Sequence, residues 1–172
     1  FLSDGYIANG AEPWMFPTAD QLPEIKVNFK KGLDENENKF QPYKRDEKLV
    51  RPWALPGTKG LEHRIGGLEK QDITGNVSYE PDNHEHMVKT RQAKVDMIAN
   101  YIPEQKIDSG AASGKVLLLG WGSTYGSIKS AVQELLLEGQ AVSHAHIRYL
   151  RPFPKNLGDI IKQFDTVIVP EI

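Results

Sequence analysis

The fold of this chain is decided by the stretch Lys115-Val-Leu-Leu-Leu-Gly-Trp-Gly-Ser-Thr-Tyr-Gly126. Its apolar start predicts a buried strand at 116–119, and the glycines after it predict a tight turn. An amphipathic helix is expected next, at about 123–137, with an apolar face made of Ile128, Val132, Leu135 and Leu136. Such a turn directs backbone N–H groups and a helix N-terminus at whatever binds above it, which suits a phosphate or carboxylate.

The sequence after this stretch continues the pattern of a parallel α/β fold. A strand at 141–150, a short helix at 156–164 and a strand at 166–169 follow in order. Successive strands joined by helices predict a parallel sheet with right-handed crossovers. Ligands of such sheets bind at the carboxyl ends of the strands. Here those ends are residues 120–124, 148–151 and 170–171.

The first of these ends holds the candidate cofactor-binding residues, Gly122, Ser123 and Thr124, as contacts for an anion. The spacing Gly120-x-Gly122-x-x-x-Gly126 is too long for the G-x-G-x-x-G dinucleotide fingerprint. The next strand also ends in arginines, where a ribose-binding acidic residue would be needed. The alternative interpretation is structural: the glycines permit a tight turn and close helix–strand packing, with Ser123 or Thr124 capping the helix.

The histidines include two i, i+2 pairs, His84-x-His86 and His144-x-His146. Alternation along a strand places His144 and His146 on one face, and the apolar residues of that strand lie on the other. We therefore expect these two side chains to face solvent or an adjoining subunit rather than to bind a metal. No metal ligand and no catalytic residue is predicted in this chain.

Composition limits the possible functions. Hydrophobic residues make up 39% of the 172 residues and charged residues 26%, which is typical of a soluble globular protein, and no apolar run is long enough to span a bilayer. The formal net charge of −2 gives no reason to expect nucleic acid or an anionic membrane as a partner. The basic residues Lys89, Arg91 and Lys94 indicate a solvated helix face.

Cysteine is absent, which excludes thiolate nucleophiles and iron–sulfur ligands from this chain.

The part of the chain before the α/β region is organised differently. Residues 1–14 begin with the end of an apolar strand and no methionine, so we expect a piece of a longer protein. Prolines interrupt every candidate helix in residues 15–82, yet large rings recur in this region and just before it: Trp14, Phe16, Phe29, Phe40, Tyr43 and Trp53. This pattern favours an extended arm laid over another surface, with a flexible linker as the alternative. A helix is predicted at about 83–102, with Asn83 as a possible N-cap.

Six segments together resemble a known family. In chain order they are Phe1–Ala8, Gly60–Gly66, His86–Val95, Leu119–Gly126, Arg148–Pro154 and Val167–Glu171. Their order and spacing are similar to the C-terminal part of the alpha subunit of 2-oxoacid:ferredoxin oxidoreductases, most closely the 2-oxoglutarate enzyme. The resemblance covers essentially the whole chain.

The resemblance implies a domain order. Residues 1–14 would be the end of a thiamine-enzyme pyrimidine-side domain. Residues 15–110 would form an extended inter-domain arm that contains the helix at about 83–102. Residues 111–172 would begin a transketolase C-terminal-like α/β domain with a parallel sheet, truncated before its last strands.

The resemblance also implies an activity. Enzymes of this family are cytoplasmic, decarboxylate a 2-oxoacid, transfer the acyl group to coenzyme A and reduce ferredoxin. The parent complex would hold thiamine diphosphate, Mg and iron–sulfur clusters, none of them expected to be held by this chain alone. The implied partners are the beta subunit of the same enzyme, ferredoxin and coenzyme A. The family's substrate-facing and cofactor-activating residues are absent, so no catalytic residue is assigned to any position here.

Three functions stay open on the sequence. The first is a scaffold and subunit-contact segment of the 2-oxoglutarate enzyme, inactive by itself. The second is the same role in an enzyme for pyruvate or a branched-chain 2-oxoacid. The third is a non-catalytic α/β module whose turn at Gly122–Gly126 holds a phosphate-bearing ligand.

Overall fold

The structure, a computed structural model, describes Gly5, residues 9–11 and residues 15–171. The expected end of a pyrimidine-side domain at 1–14 therefore falls mostly outside the described residues. The chain divides into two compact units, one made of Met15–Met97 and the other containing residues 98–171. Among the described residues, no helix has the length and apolar character needed to cross a bilayer.

The unit Met15–Met97 contains one long helix and little other regular structure. Its short strands β1, Phe29–Lys30, and β2, Trp53–Ala54, pair in parallel. Helix α1, Pro81–Met97, begins earlier than predicted and is followed by a 3-10 turn at Ile98–Asn100.

Asn83 does not cap α1, because it lies inside the helix. Its side-chain Oδ1 instead accepts a hydrogen bond from the Asp72 N–H at 3.0 Å, and its Nδ2 donates to the Lys70 carbonyl at 3.0 Å. The predicted N-cap therefore serves another purpose: it ties the loop before the helix to the helix itself.

A three-stranded parallel sheet organises the other unit. Its strands are β3, Gly114–Trp121, β4, Val142–Ile147, and β5, Phe164–Ile168, with β3 in the centre. Helix α2, Tyr125–Leu137, connects β3 to β4, and the short helix α3, Leu157–Ile161, connects β4 to β5. The predicted α/β class with a parallel sheet is confirmed.

The two faces of this sheet carry separate apolar cores. The core beneath α3 consists of Leu117, Leu119, Ala145, Ile147, Leu157 and Phe164. The core beneath α2 consists of Ile128, Val132 and Val142, with Val116, Leu118 and Leu135 at its edge. Because both faces of β3 are covered, its sequence is uniformly apolar instead of alternating.

Several predicted element ends differ from the observed ones, and burial explains the clearest case. The sequence pattern places Phe164 at the end of a helix, but this residue begins β5 and is only 8% exposed, because its ring completes the core beneath α3. Helix α2 ends as predicted: Gly139 has φ +81°, and its N–H donates to the Leu136 carbonyl at 3.1 Å.

Candidate functional site

The carboxyl ends of β3 and β4 form the candidate site. These neighbouring strands continue into helices that pack on opposite faces of the sheet. In open parallel sheets ligands bind in a crevice between two such strand ends, so this topology predicts a crevice here. The turn Gly122–Thr124 borders it on the β3 side, and the residues after Ile147 border it on the β4 side.

The turn that holds the predicted anion contacts is one turn of 3-10 helix, Gly122–Thr124, and α2 starts directly after it. Gly122 has φ +61°, a conformation that favours glycine. The buried Thr124 hydroxyl donates to the Trp121 carbonyl at 2.7 Å and accepts from the Trp121 N–H at 3.2 Å. Of the two residues predicted to cap α2, Ser123 and Thr124, Thr124 occupies the N-cap position, but its side chain makes no capping hydrogen bond to the helix. An anion here would have to be contacted mainly by backbone N–H groups.

Gly120 has a packing role beneath this turn. A Cβ at Gly120 would lie 2.6 Å from the Ile128 Cδ1 atom, 3.0 Å from the Thr124 Oγ1 atom and 3.1 Å from the His146 Nδ1 atom. The absent side chain lets α2 lie close to β3. The structural interpretation of the first glycine in the motif therefore fits this geometry.

His144 and His146 are buried, and the expectation that they face solvent or another subunit is wrong. They are 0% and 8% exposed, and every residue of β4 is buried. The physical reason is that α2 covers the strand face that carries them, while α3 covers the other face. The Tyr125 ring lies against both imidazoles, with centroid distances of 5.6 Å to His144 and 5.0 Å to His146.

These imidazoles lack some of the partners that buried polar groups normally have. Among the described residues, both ring nitrogens of His144 and the Nδ1 of His146 have no hydrogen-bond partner. Burial lowers the pKa of both side chains below its ordinary value, and the nearby Asp108 carboxylate opposes this. His146, when it is protonated, and Lys129 lower the pKa of His144 further; Arg148 lowers the pKa of His146, and a hydrogen bond with the Gly122 backbone raises it. Both histidines are therefore neutral in the fold near neutral pH.

A pH dependence of stability follows from these lowered pKa values. The unfolded chain takes up protons near the ordinary histidine pKa of about 6.5, whereas the fold resists protonation. The free energy of unfolding is thus highest above that pH, where the histidines are neutral in both states. It decreases as the pH falls from the unfolded pKa through the lower folded pKa values. We expect hydrogen exchange of the β3 and β4 amides to show falling stability from about pH 7.5 to about pH 5.5.

The matched variants for this prediction are His144→Leu and, as a control, His84→Gln. His144→Leu should flatten the pH dependence, since it removes one buried titrating group. His84 lies in the other compact unit and its side chain is exposed, so His84→Gln should leave the pH dependence of these amides unchanged. An equally steep dependence in His144→Leu would contradict the assignment.

Comparison with known proteins finds relatives that match almost the whole chain. Over 172 residues and 99% of its length, the chain is 49% identical to the 2-oxoglutarate oxidoreductase subunit KorA of Mycobacterium tuberculosis, of which it covers 25%. It is 30% identical over 136 residues to the 2-oxoacid:ferredoxin oxidoreductase subunit alpha of Saccharolobus solfataricus, covering 76% of this chain and 21% of that subunit. The chain is homologous to part of a 2-oxoacid:ferredoxin oxidoreductase alpha subunit. The resemblance seen in the sequence is confirmed.

A solved structure agrees with this assignment. It is the 2-oxoglutarate:ferredoxin oxidoreductase from Magnetococcus marinus with 2-oxoglutarate, coenzyme A and succinyl-CoA bound. It matches with a TM-score of 0.76 and 28% identity over 91% of this chain and 27% of the solved chain. The chain thus spans about a quarter of the length of the relatives it matches. No protein-family model matches it.

The remaining histidines, His63, His84 and His86, lie in a loop and on α1. His84 Nδ1 lies 2.6 Å from a Glu69 oxygen, and His86 Nε2 lies 3.1 Å from an Asp72 oxygen. Both imidazoles thus pair with carboxylates on the loop before the helix. Within the described part of the chain, no group of three or more histidine or carboxylate side chains is arranged to hold a metal ion.

Proposed function

We propose that this chain works within a 2-oxoglutarate:ferredoxin oxidoreductase, an enzyme that converts 2-oxoglutarate and coenzyme A to succinyl-CoA and carbon dioxide while reducing ferredoxin. The observation that carries the proposal is the 49% identity to subunit KorA over 99% of the chain. The Magnetococcus marinus enzyme, whose structure holds 2-oxoglutarate, coenzyme A and succinyl-CoA, supports the same substrate.

We infer that the chemistry is supplied outside this chain. The family depends on thiamine diphosphate, and the proposed complex also uses Mg and iron–sulfur clusters. The chain does not fit the clusters, because it contains no cysteine to ligate iron. Its described residues also bring no set of carboxylates together for Mg. The beta subunit, ferredoxin and coenzyme A are the partners that the whole complex requires.

The role proposed for this chain is scaffold and subunit contact. Residues 111–172 would form the beginning of a transketolase C-terminal-like domain, and residues 15–110 the arm that leads to it from the pyrimidine-side domain. Exposed apolar side chains on the arm support a contact role: Met15 is 93% exposed and Ile25 is 83% exposed. The turn residues Gly122, Ser123 and Thr124 remain proposed backbone contacts for an anion, supported by the position of the turn at the carboxyl end of β3.

The test is turnover by the full-length alpha subunit assembled with its beta subunit. We expect viologen reduction that needs both coenzyme A and a 2-oxoacid, with kcat/KM for 2-oxoglutarate at least about tenfold above that for pyruvate or a branched-chain 2-oxoacid. The 172-residue chain alone should show no turnover. A preference for pyruvate would refute the substrate assignment, and activity of the chain alone would refute the scaffold role.

A further inference from the structure

A second concave site lies entirely within the unit Met15–Met97. It is a cavity of about 400 Å³, a volume in the range that small-molecule ligands occupy. Its wall contains the loop Gly66–Lys70 and one face of α1. The side chains that matter for its chemistry are Tyr43, Arg45, Arg51, Lys70, Arg91 and Lys94.

The wall of this cavity carries far more positive than negative charge. Glu69 is its only carboxylate among the described lining residues, against three arginines and two lysines. That carboxylate is already engaged by His84 at 2.6 Å and, more distantly, by Arg91 at 3.7 Å. Arg45 is paired with Asp72 at 2.7 Å. The remaining cations, Arg51, Lys70 and Lys94, form no ion pair with any described residue.

Lys70 is a buried lysine of the cavity wall that has no carboxylate partner among the described residues. This lysine is only 4% exposed. Its Nζ donates to the Gly66 carbonyl at 2.6 Å and to the Leu68 carbonyl. These oxygens satisfy N–H donors but carry no formal charge. A buried ammonium without a counter-ion is unfavourable, so an anion in the cavity would stabilise it.

Arg51 is held in a position to bind such an anion. Its guanidinium lies over the Tyr43 ring, 3.7 Å from the centroid, and its Nε donates to the Pro42 carbonyl at 2.8 Å. These two contacts fix the plane of the guanidinium on the cavity wall. Its terminal N–H groups donate to no described residue. A fixed guanidinium with free terminal donors matches the paired oxygens of a phosphate or carboxylate.

We propose that this cavity binds a small multivalent anion through phosphoryl or carboxylate oxygens, held by Arg51, Lys70 and Lys94. The volume excludes a folded protein segment and suits a small molecule. Arg45 and Arg91 line the same wall, but Asp72 and Glu69 compensate their charges. The site is formed by residues of one compact unit, so it does not depend on the crevice at the strand ends.

The experiment is calorimetric titration of the assembled full-length enzyme with inorganic pyrophosphate and, separately, with citrate, at constant ionic strength. We expect saturable binding and competition between the two anions. Tighter binding of pyrophosphate would assign a phosphoryl ligand, and tighter binding of citrate a carboxylate ligand. Either order supports the site, and absence of binding by both anions overturns it.

Variants show whether binding occurs in this cavity. Arg51→Gln and Lys94→Gln should each raise Kd about tenfold, because each removes one charged donor. The control is Lys89→Gln, on the same helix, whose Nζ pairs with Glu85 at 2.7 Å and does not line the cavity. Lys94 is exposed, so its variant tests the site without disturbing the fold. Equal Kd values in the parent enzyme and all three variants would overturn the proposal.

Discussion

Replacing Gly110 with alanine is expected to destabilise the sheet unit by about 3 kcal/mol, chiefly by disrupting the edge of β4. Gly110 has φ +88°, which costs an L-residue on the order of 1–2 kcal/mol. Its new Cβ would also collide with the Val142 carbonyl oxygen and lie 2.8 Å from the Ser143 Cα atom. Both are backbone atoms that cannot rotate away, so the segment would have to leave the strand.

The Gly110→Ala variant would break a defined set of hydrogen bonds. The segment before Gly110 pairs with β4: the Asp108 N–H donates to the His144 carbonyl at 2.8 Å, and the His144 N–H donates to the Ser109 carbonyl at 2.9 Å. On the other side of Gly110, the Ser143 hydroxyl donates to the Ala111 carbonyl at 2.8 Å. Displacing this segment would expose the β4 edge and the buried histidine beneath α2.

The measurement is urea unfolding combined with hydrogen exchange of the β4 amides. The matched control is Gly126→Ala in α2, where a Cβ would meet nothing within 4 Å. That variant should be stabilised by roughly 0.5–1 kcal/mol, because alanine loses less backbone entropy in a helix. If the two alanine variants had the same stability, the close approach at Gly110 would not be the cause.

The sequence predicted the sheet unit well because its information is local. The uniformly apolar run of β3, the glycine turn and the period of α2 each lie within one short window, and Gly139 marks the end of the helix. The sequence did not correctly predict the environment of His144 and His146. Alternation correctly placed them on one strand face, but that face is covered by α2, and a single sequence does not show which faces are covered.

The cavity in the other unit escapes sequence reasoning for a related reason. Arg51, Lys70 and Lys94 are far apart in the chain, and only the packing of three segments, the one that holds Arg51, the loop Gly66–Lys70 and α1, brings them to one wall. The sequence correctly predicted that Lys94 is exposed on its helix. It did not predict that Lys94 also lines a cavity with other basic side chains. Lys70 follows Gly66-Gly67-Leu68-Glu69, a sequence that gives no sign of a buried lysine, because its burial is a property of the fold.

Replacing Leu117 with alanine is expected to cost about 2–5 kcal/mol, because it removes a fully buried side chain from the centre of the sheet. Leu117 is 0% exposed and lies in the core beneath α3. It stands opposite Ser143 on one neighbouring strand and Val167 on the other, so both strand pairs border the resulting void. With parallel strands on both sides, the sheet cannot collapse into that void without losing register.

The control for this variant is Leu137→Ala at the end of α2, where the side chain is 89% exposed and a change of no more than about 0.5 kcal/mol is expected. Urea unfolding followed at the β3 amides measures both variants. The same two variants, made in the full-length enzyme, distinguish a scaffold role of this chain from a catalytic role. If this chain is scaffold, Leu117→Ala should lower the amount of assembled complex while kcat per assembled enzyme stays unchanged. A fall in kcat at full assembly would instead give the β3 region a part in turnover.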